Sequence, residues 1–230
     1  MTSLPYIKSN YLELMDELAD IAARVGVNAP TLVAVTKSGT DEELCELVRS
    51  GAVNIGENRP QELRRRADLL YGLGHSPMLH EIGTLQRNKV KMIIKDVALI
   101  HSLDSLRLAD EIEKQAAAVG RRVPVLIEVN SAREENKSGV LPEEAERLLN
   151  EVLGYSHIEV CGLMTMGPAD CTESELRGYF RETKGLFDDL HTRYGFGEEP
   201  ILSMGMSDSY RIAIEEGSTL VRVGRRLFRK

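Results

Sequence analysis

Cysteine is scarce in this chain of 230 residues, and its three cysteines form no recognisable pair. Cys45, Cys161 and Cys171 are an odd number, and they show neither a CxxC motif nor the spacing of metal ligands. Disulfide frameworks belong to oxidising compartments, whereas a reducing cytoplasm keeps thiols free. The sequence therefore predicts a cytoplasmic protein without a disulfide framework and without a metal site.

Long apolar runs and concentrated positive charge are also missing. The N-terminal segment 1–26 mixes charges into its apolar positions, and nothing in the chain approaches the roughly eighteen apolar residues that a membrane span needs. The formal net charge is −7, and only segment 62–70 is locally basic. We therefore expect neither a membrane nor a nucleic acid as a partner.

Linkers rich in proline, glycine or serine do not interrupt the chain, and low-complexity segments are missing too. The hydrophobic content of 42% is enough for an ordinary core. We therefore predict a single domain that spans residues 1–230.

Short apolar runs alternate with amphipathic segments from one end of the chain to the other. The runs that predict strands are 31–36, 53–56, 78–83, 99–103, 123–130, 158–166, 201–205 and 219–224. Segment 105–120 between two of them repeats apolar residues at the helical period and stops at Gly120. Regular alternation of this kind predicts parallel strands with right-handed crossovers.

Eight strand–helix units predict a closed (β/α)8 TIM barrel, preceded by an additional N-terminal helix over residues 4–24. A doubly wound open sheet is the alternative architecture. In a barrel, the active site lies at the carboxyl ends of the strands, so the residues that follow each apolar run are the candidates for function.

Lys37 follows the first apolar run, where the barrel would open. The low dielectric of a barrel mouth lowers the pKa of a lysine, and a neutral amine attacks aldehydes. A solvated loop lysine is the alternative interpretation. The position favours a lysine that forms a Schiff base.

The last two apolar runs end in segments that suit an anion. Ser203, Gly205 and Ser207 precede a helix predicted to begin near Asp208, and Gly224 follows the eighth run. Glycines, hydroxyls and backbone N–H groups bind phosphate, and barrels often hold one after strands seven and eight. These glycines would otherwise serve only as turns. A Schiff-base lysine opposite a phosphate site favours pyridoxal 5′-phosphate (PLP) as the cofactor.

Six ordered motifs make this hypothesis more specific. They are AVTKSGT, IGENRPQE, HEIGTLQRNK, VNSAREENKSG, GLMTMG and LSMGMSDSYRIAIEEGSTLVRVG. With these motifs the chain resembles the pyridoxal phosphate homeostasis protein family over nearly its whole length. The resemblance implies a single-domain barrel similar to the N-terminal domain of alanine racemase.

The resemblance also implies roles for individual residues. Lys37 becomes the Schiff-base lysine, Asn58 lies beside the cofactor ring and Arg222 faces the pyridine nitrogen. Phosphate contacts are implied for Ser203, Ser207, Gly224 and the backbone of Arg225. The family commonly has a small hydroxyl residue at position 225, so the arginine here either substitutes its charge or points to solvent.

Other polar and sulfur-containing residues have ordinary structural interpretations. We expect His80 to be a hydrogen-bonded structural histidine and Lys137 to be a solvated loop lysine. The methionines near the sixth and seventh runs are expected to fill the barrel and its mouth, namely Met164, Met166, Met204 and Met206.

The resemblance implies a carrier that holds PLP on Lys37 and supplies or buffers it for PLP-dependent apoenzymes, without strong catalytic turnover. A PLP-dependent racemase is the alternative, but it needs bases on both faces of the substrate Cα. In alanine racemase a tyrosine from a partner's additional domain is the second base, and we expect this chain to lack that domain. An arginine at the pyridine nitrogen also leaves the ring a weak electron sink.

An aldolase acting on sugar phosphates would explain Lys37 and the phosphate site but not the six motifs. We expect a monomer.

Overall fold

Eight short strands pair in chain order and close on themselves in the described part of the computed structural model, residues 4–168 and 170–230. The strands are β1 (Thr31–Val35), β2 (Asn54–Glu57), β3 (Met78–Glu81), β4 (Val97–Leu103), β5 (Val123–Val129), β6 (Ile158–Thr165), β7 (Ile201–Ser203) and β8 (Leu220–Val223). All pairings are parallel, and β8 joins β1 with Leu220 opposite Thr31. The predicted barrel is confirmed, and the open sheet is wrong because it would leave two unpaired edges.

Helices surround the barrel. They are α1 (Pro5–Val25), α2 (Asp41–Arg49), α3 (Pro60–Gly72), α4 (Val90–Ile93), α5 (Leu106–Ala118), α6 (Pro142–Val152), α7 (Glu173–Tyr194) and α8 (Tyr210–Glu215), and a 3-10 turn at Arg87–Lys89 precedes α4. Several begin at the residues that favour helix starts, such as Thr40, whose side chain forms a capping box with Glu43 before α2. Among the helices of the described residues, none combines the length and the apolar character that a membrane crossing requires.

The predicted N-terminal helix is confirmed as α1, which packs between α2 and α8. Residues 225–228 form a turn after β8, so α1 covers the side of the barrel where a helix following β8 would lie. Asn10 of α1 donates from Nδ2 to the carbonyl oxygens of Leu227 (3.2 Å) and Arg229 (2.8 Å). The first helix therefore holds the last residues of the chain against the barrel.

The side chains of the strands divide between two cores, one outside and one inside the barrel. Leu32 and Ala34 of β1 pack outward against the helices, whereas Val33 belongs to a smaller cluster inside the barrel. The other buried members of that inner cluster are Leu99, Leu126, Cys161, Met164 and Leu220.

The methionines divide between these cores. Met164 is buried inside the barrel with Met166 packed partly against it, and Met204 is buried in the outer core. Met206, in contrast, is 39% exposed. The expectation that these residues fill the barrel is confirmed for Met164, whereas Met204 packs on the outside of the barrel.

Candidate functional site

Lys37 lies in the turn that follows β1. The strand ends at Val35, and the amide of Gly39 donates to the carbonyl of Thr36 at 2.9 Å, so Lys37 is inside a tight turn rather than on the last strand residue. The side chain is exposed. The apolar surroundings that we predicted for the amine are therefore not found, because the turn carries Lys37 clear of the packed interior.

A buried ion pair holds both ends of this turn. Thr36 donates from Oγ1 to Glu57 Oε1 at 2.5 Å, and Arg66 Nε lies 2.9 Å from the same carboxylate oxygen. Arg66 also donates from Nη2 to the carbonyl of Gly39 at 2.7 Å. Burial raises the pKa of Glu57. The pair fixes the backbone on each side of Lys37, and it positions the amine without touching it.

Arg66 was not among the predicted site residues, because it lies in the locally basic segment 62–70. The signal was nevertheless present in the helical period. Leu63, Arg66, Ala67 and Leu70 occupy positions i, i+3, i+4 and i+7 of α3, and all four are buried. An arginine in an apolar stripe requires a buried partner, which here is Glu57 at the end of β2.

Asn58 follows β2 and is half-buried against the loop after β3. A Cβ atom on Gly83 would lie 2.4 Å from the carbonyl oxygen of Asn58. Only a residue without a side chain allows this close approach. The glycine of the third motif therefore brings the β3 end against Asn58, which has been predicted to lie beside the cofactor ring.

The segments after β7 and β8 meet at Ser207 and Gly224. Ser207 Oγ accepts a hydrogen bond from the backbone N–H of Gly224 at 3.3 Å. A Cβ atom on Gly224 would lie 2.7 Å from the carbonyl oxygen of Val35, at the end of β1. Gly224 therefore lies between the predicted phosphate segment and the strand that leads to Lys37.

The helix after β7 begins later than predicted. Residues 207–209 form a turn, in which Met206 donates its N–H to Ser209 Oγ at 3.0 Å, and α8 starts at Tyr210 rather than near Asp208. Asp208 instead forms an ion pair with Arg225, whose side chain is 70% exposed. The sequence left two alternatives for Arg225, a side chain that substitutes its charge at the phosphate or one that points to solvent. In the structure the side chain points to solvent. A phosphate contact from its backbone stays a prediction.

Arg222 of β8 is buried inside the barrel. It donates from Nη1 to the carbonyl oxygen of Ser203 at 3.0 Å and also to the Ser203 hydroxyl, and from Nη2 to the carbonyl of Thr165 at 3.0 Å. Burial lowers the pKa of Arg222 to about 10, and the nearby carboxyl of Glu128 opposes that shift. The guanidinium therefore stays protonated at neutral pH, and three acceptors fix it in one orientation.

Two histidines continue this polar contact across the barrel interior. His101 Nδ1 lies 3.0 Å from Ser203 Oγ, and His101 Nε2 lies 3.0 Å from His80 Nδ1. His80 Nε2 in turn lies 3.0 Å from Asn54 Oδ1. Desolvation lowers the pKa of His80 to about 4 and that of His101 well below its ordinary value. The expectation that His80 is a hydrogen-bonded structural histidine is confirmed.

Ser203 is fully buried, with its hydroxyl between His101 and Arg222. The implied phosphate contact of Ser203 stays a prediction, and the structure gives this hydroxyl two protein partners. His101 was not predicted as a functional residue. His101 follows the inward-facing Leu99 by two residues, and this spacing in a strand indicates that its side chain also points into the barrel.

Two further carboxyls are buried at this end of the barrel. Burial raises the pKa of Glu128 to about 7 and that of Glu81 to about 8. Glu81 accepts the N–H of Gly83 at 3.2 Å. Lys137, by contrast, is exposed and forms an ion pair with Glu134, as expected for a solvated loop lysine.

This chain has close relatives of the same length. A family model described as alanine racemase, N-terminal domain, matches residues 11–229. The pyridoxal phosphate homeostasis protein of Aquifex aeolicus is 41% identical over 220 residues, which cover 96% of this chain and 95% of the relative. The chain belongs to the pyridoxal phosphate homeostasis protein family.

Solved structures agree with this family membership. The structure of PipY from Synechococcus elongatus PCC7942, which is described with PLP bound, superposes with a TM-score of 0.85 at 26% sequence identity. The match covers 97% of this chain and 100% of the PipY chain. An alanine racemase of Clostridium difficile 630 has a TM-score of 0.77 at 16% identity, which shows a shared fold. The match covers 98% of this homeostasis family member and 60% of that racemase.

The buried neutral histidines each contribute stability that is lost on acidification. The folded pKa of His80, about 4, lies below its ordinary value of 6.5, so the unfolded ring binds a proton that the folded ring excludes. Between about pH 6.5 and pH 4 this proton lowers the free energy of unfolding on acidification, by up to about 1.4 kcal/mol per pH unit. The raised pKa values of Glu81 and Glu128 act in the opposite direction, so the contribution of His80 is measured as a difference between variants. Urea unfolding followed by far-UV circular dichroism measures it, since the chain has no tryptophan.

Relative to the parent, His80→Gln should lose less stability between pH 6.5 and pH 4, because an amide does not titrate. His75→Gln is the matched control, since His75 is half-buried in a loop outside the barrel interior. Equal slopes in the parent and in His80→Gln would contradict the assignment of the acid sensitivity to His80.

Proposed function

We propose that residues 1–230 form a single PLP-binding domain that maintains cellular PLP. In this proposal the chain holds the cofactor as a Schiff base on Lys37 and supplies or buffers it, without strong catalytic turnover. Its partners are PLP and PLP-dependent apoenzymes, and we further propose a cytoplasmic monomer. The names of the relatives and the PLP-bound PipY structure support this assignment.

The position of Gly224 is the observation on which the proposal rests. Its N–H donates to Ser207, and its Cα lies against the carbonyl of Val35, two residues before Lys37. A ligand with an aldehyde near Lys37 and an anionic group near Ser207 would therefore span one small region of the rim. That combination of groups describes PLP.

The residues present fit this cofactor. Lys37 would provide the amine, Ser207 and the Gly224 backbone would hold the phosphate, and Arg222 would donate a hydrogen bond to the pyridine nitrogen. When bound, PLP supplies an aldehyde that reacts reversibly with primary amines. A protonated Arg222 does not give up its proton readily, so the pyridine nitrogen would stay unprotonated.

The direct test is cofactor content followed by transfer. We expect the purified protein to contain PLP that denaturation releases, and we expect the loaded protein to restore activity to a PLP-dependent apoenzyme. Free PLP at the same concentration, with a phosphatase added to destroy it, is the control. A protein that neither contains PLP nor takes it up on incubation would contradict the proposal.

A racemase is the second candidate, and the alanine racemase fold supports it. The required second base is the difficulty. Of the seven tyrosines, six lie on the surrounding helices and Tyr155 precedes β6. The hydroxyl of Tyr210 donates to Glu17 of α1 at 2.6 Å, on the outside of the barrel. This chain therefore does not itself bring a tyrosine to the mouth.

We predict little or no racemisation or transamination of alanine, serine or glutamate. Chiral chromatography after long incubation with the PLP-loaded protein measures it. An alanine racemase assayed in parallel shows that the method detects turnover. A rate of about one per second or faster, within the ordinary enzyme range, would favour the racemase instead.

A further inference from the structure

A chain of hydrogen bonds crosses the barrel interior beneath the mouth. Its members, in order, are Arg222, Ser203, His101, His80 and Asn54. They come from β8, β7, β4, β3 and β2, so the chain links opposite sides of the barrel. Asn54 is half-buried and the other four are at most 5% exposed.

The chemistry of the end members determines the direction of donation. A guanidinium can only donate, so Ser203 Oγ accepts from Arg222. The single hydroxyl hydrogen of Ser203 is then directed to His101 Nδ1, which must be unprotonated. A neutral imidazole carries its hydrogen on the other nitrogen, so His101 donates from Nε2 to His80 Nδ1.

The same rule places the hydrogen of His80 on Nε2, from which it donates to Asn54 Oδ1. The opposite direction would make His101 donate to Ser203 Oγ as well. The Ser203 hydrogen would then need another acceptor, and the hydrogen bonds of the described residues give this hydroxyl only His101 and Arg222 as partners. Donation from Arg222 toward Asn54 satisfies every group.

We infer that His101 is a positioning residue for Arg222. It takes the hydrogen of the Ser203 hydroxyl and so leaves Ser203 Oγ as an acceptor that orients the guanidinium. The inference rests on the proposed function, because the orientation of Arg222 acts on the cofactor only through the pyridine nitrogen. It also leaves Ser203 without a hydrogen for a phosphate oxygen.

Nitrogen NMR of the side chains tests the hydrogen positions in the protein itself, without added cofactor. With ¹⁵N-labelled histidine, His80 and His101 should both be neutral at pH 7, with hydrogen on Nε2 and none on Nδ1. Spectra of His80→Gln and His101→Asn assign the two rings. A hydrogen on Nδ1 of either ring, or a cationic ring, would overturn the inference. Because this measurement needs no PLP, it stands apart from the test of the proposed function.

Two replacements of His101 test the positioning role. In His101→Asn the side-chain oxygen can take the place of Nδ1, whereas His101→Leu offers Ser203 no acceptor. We expect His101→Leu to lower the affinity for PLP and for phosphate-free pyridoxal by the same factor, on the order of tenfold. We also expect it to shift the visible absorption of bound PLP. His101→Asn should lie closer to the parent in both measurements.

Circular dichroism and thermal unfolding show whether each variant is folded. A folded His101→Leu protein with the parent's affinities and absorption would refute the positioning role. If His101→Leu does not fold, the comparison of the parent with His101→Asn and the hydrogen positions decide the matter, since a Nδ1 hydrogen is incompatible with the role.

Discussion

Lys37→Ala should abolish the covalent adduct that borohydride traps between this protein and PLP. The amine of Lys37 is exposed at the end of β1, and the buried pair of Glu57 and Arg66 fixes the turn that carries it. Removal of an exposed side chain leaves that pair intact, so the free energy of unfolding should change by less than about 0.5 kcal/mol. Mass spectrometry of the reduced protein measures the adduct, and thermal unfolding checks the fold.

Lys137→Ala is the matched control, because Lys137 is also exposed and follows the carboxyl end of a barrel strand, but it is paired with Glu134. This variant should form the adduct as the parent does. Noncovalent binding of PLP to Lys37→Ala should be weaker but should persist, since Ser207, Gly224 and Arg222 do not depend on the amine. An adduct of undiminished yield in Lys37→Ala would assign the Schiff base to another lysine, and peptide mapping would identify it.

The framework of this site could be predicted from the sequence because it depends on local patterns. Each apolar run became a strand, and the residues after the runs became the rim. Lys37 and Gly224 could therefore be chosen as candidates from their order along the chain, whereas Asn58 was implied only by the resemblance to the family. The close approach of Gly224 to Val35 explains why a glycine is needed there.

The contacts that orient these residues could not be predicted in the same way. Ser203 and His101 are 102 positions apart, and they meet only because β4 and β7 face each other across a closed barrel. Likewise, Arg66 of α3 donates to the carbonyl of Gly39, which lies in the turn between β1 and α2. The periodicity of the sequence predicts that a polar residue in an apolar stripe is buried, but it does not identify the residue with which it forms a hydrogen bond or an ion pair. The exposure of Lys37 was only the alternative interpretation, because the pattern of apolar residues does not specify the backbone geometry of the turn after β1.

Ser207→Ala and Ser203→Ala should weaken PLP binding in different ways, although the resemblance to the family implies the same role for both. Ser207 is half-buried and bonded to the N–H of Gly224, where the phosphate is predicted to lie. Ser207→Ala should cost about 1–3 kcal/mol of PLP affinity, the range for a hydrogen bond to a charged group. It should hardly change the affinity for pyridoxal, which has no phosphate.

Ser203→Ala removes the oxygen that accepts from Arg222 and the hydrogen that His101 receives. Both partners are buried, so the loss leaves a donor and an acceptor unsatisfied and disturbs the guanidinium rather than a phosphate contact. The binding of PLP and the binding of pyridoxal should therefore weaken equally, by about 1–3 kcal/mol each.

Titration of both ligands into the parent and the two variants gives the comparison. If Ser203→Ala weakens PLP alone, its hydroxyl is a phosphate ligand and its contacts with His101 and Arg222 rearrange on binding. If Ser207→Ala weakens both ligands equally, the phosphate lies elsewhere on the rim.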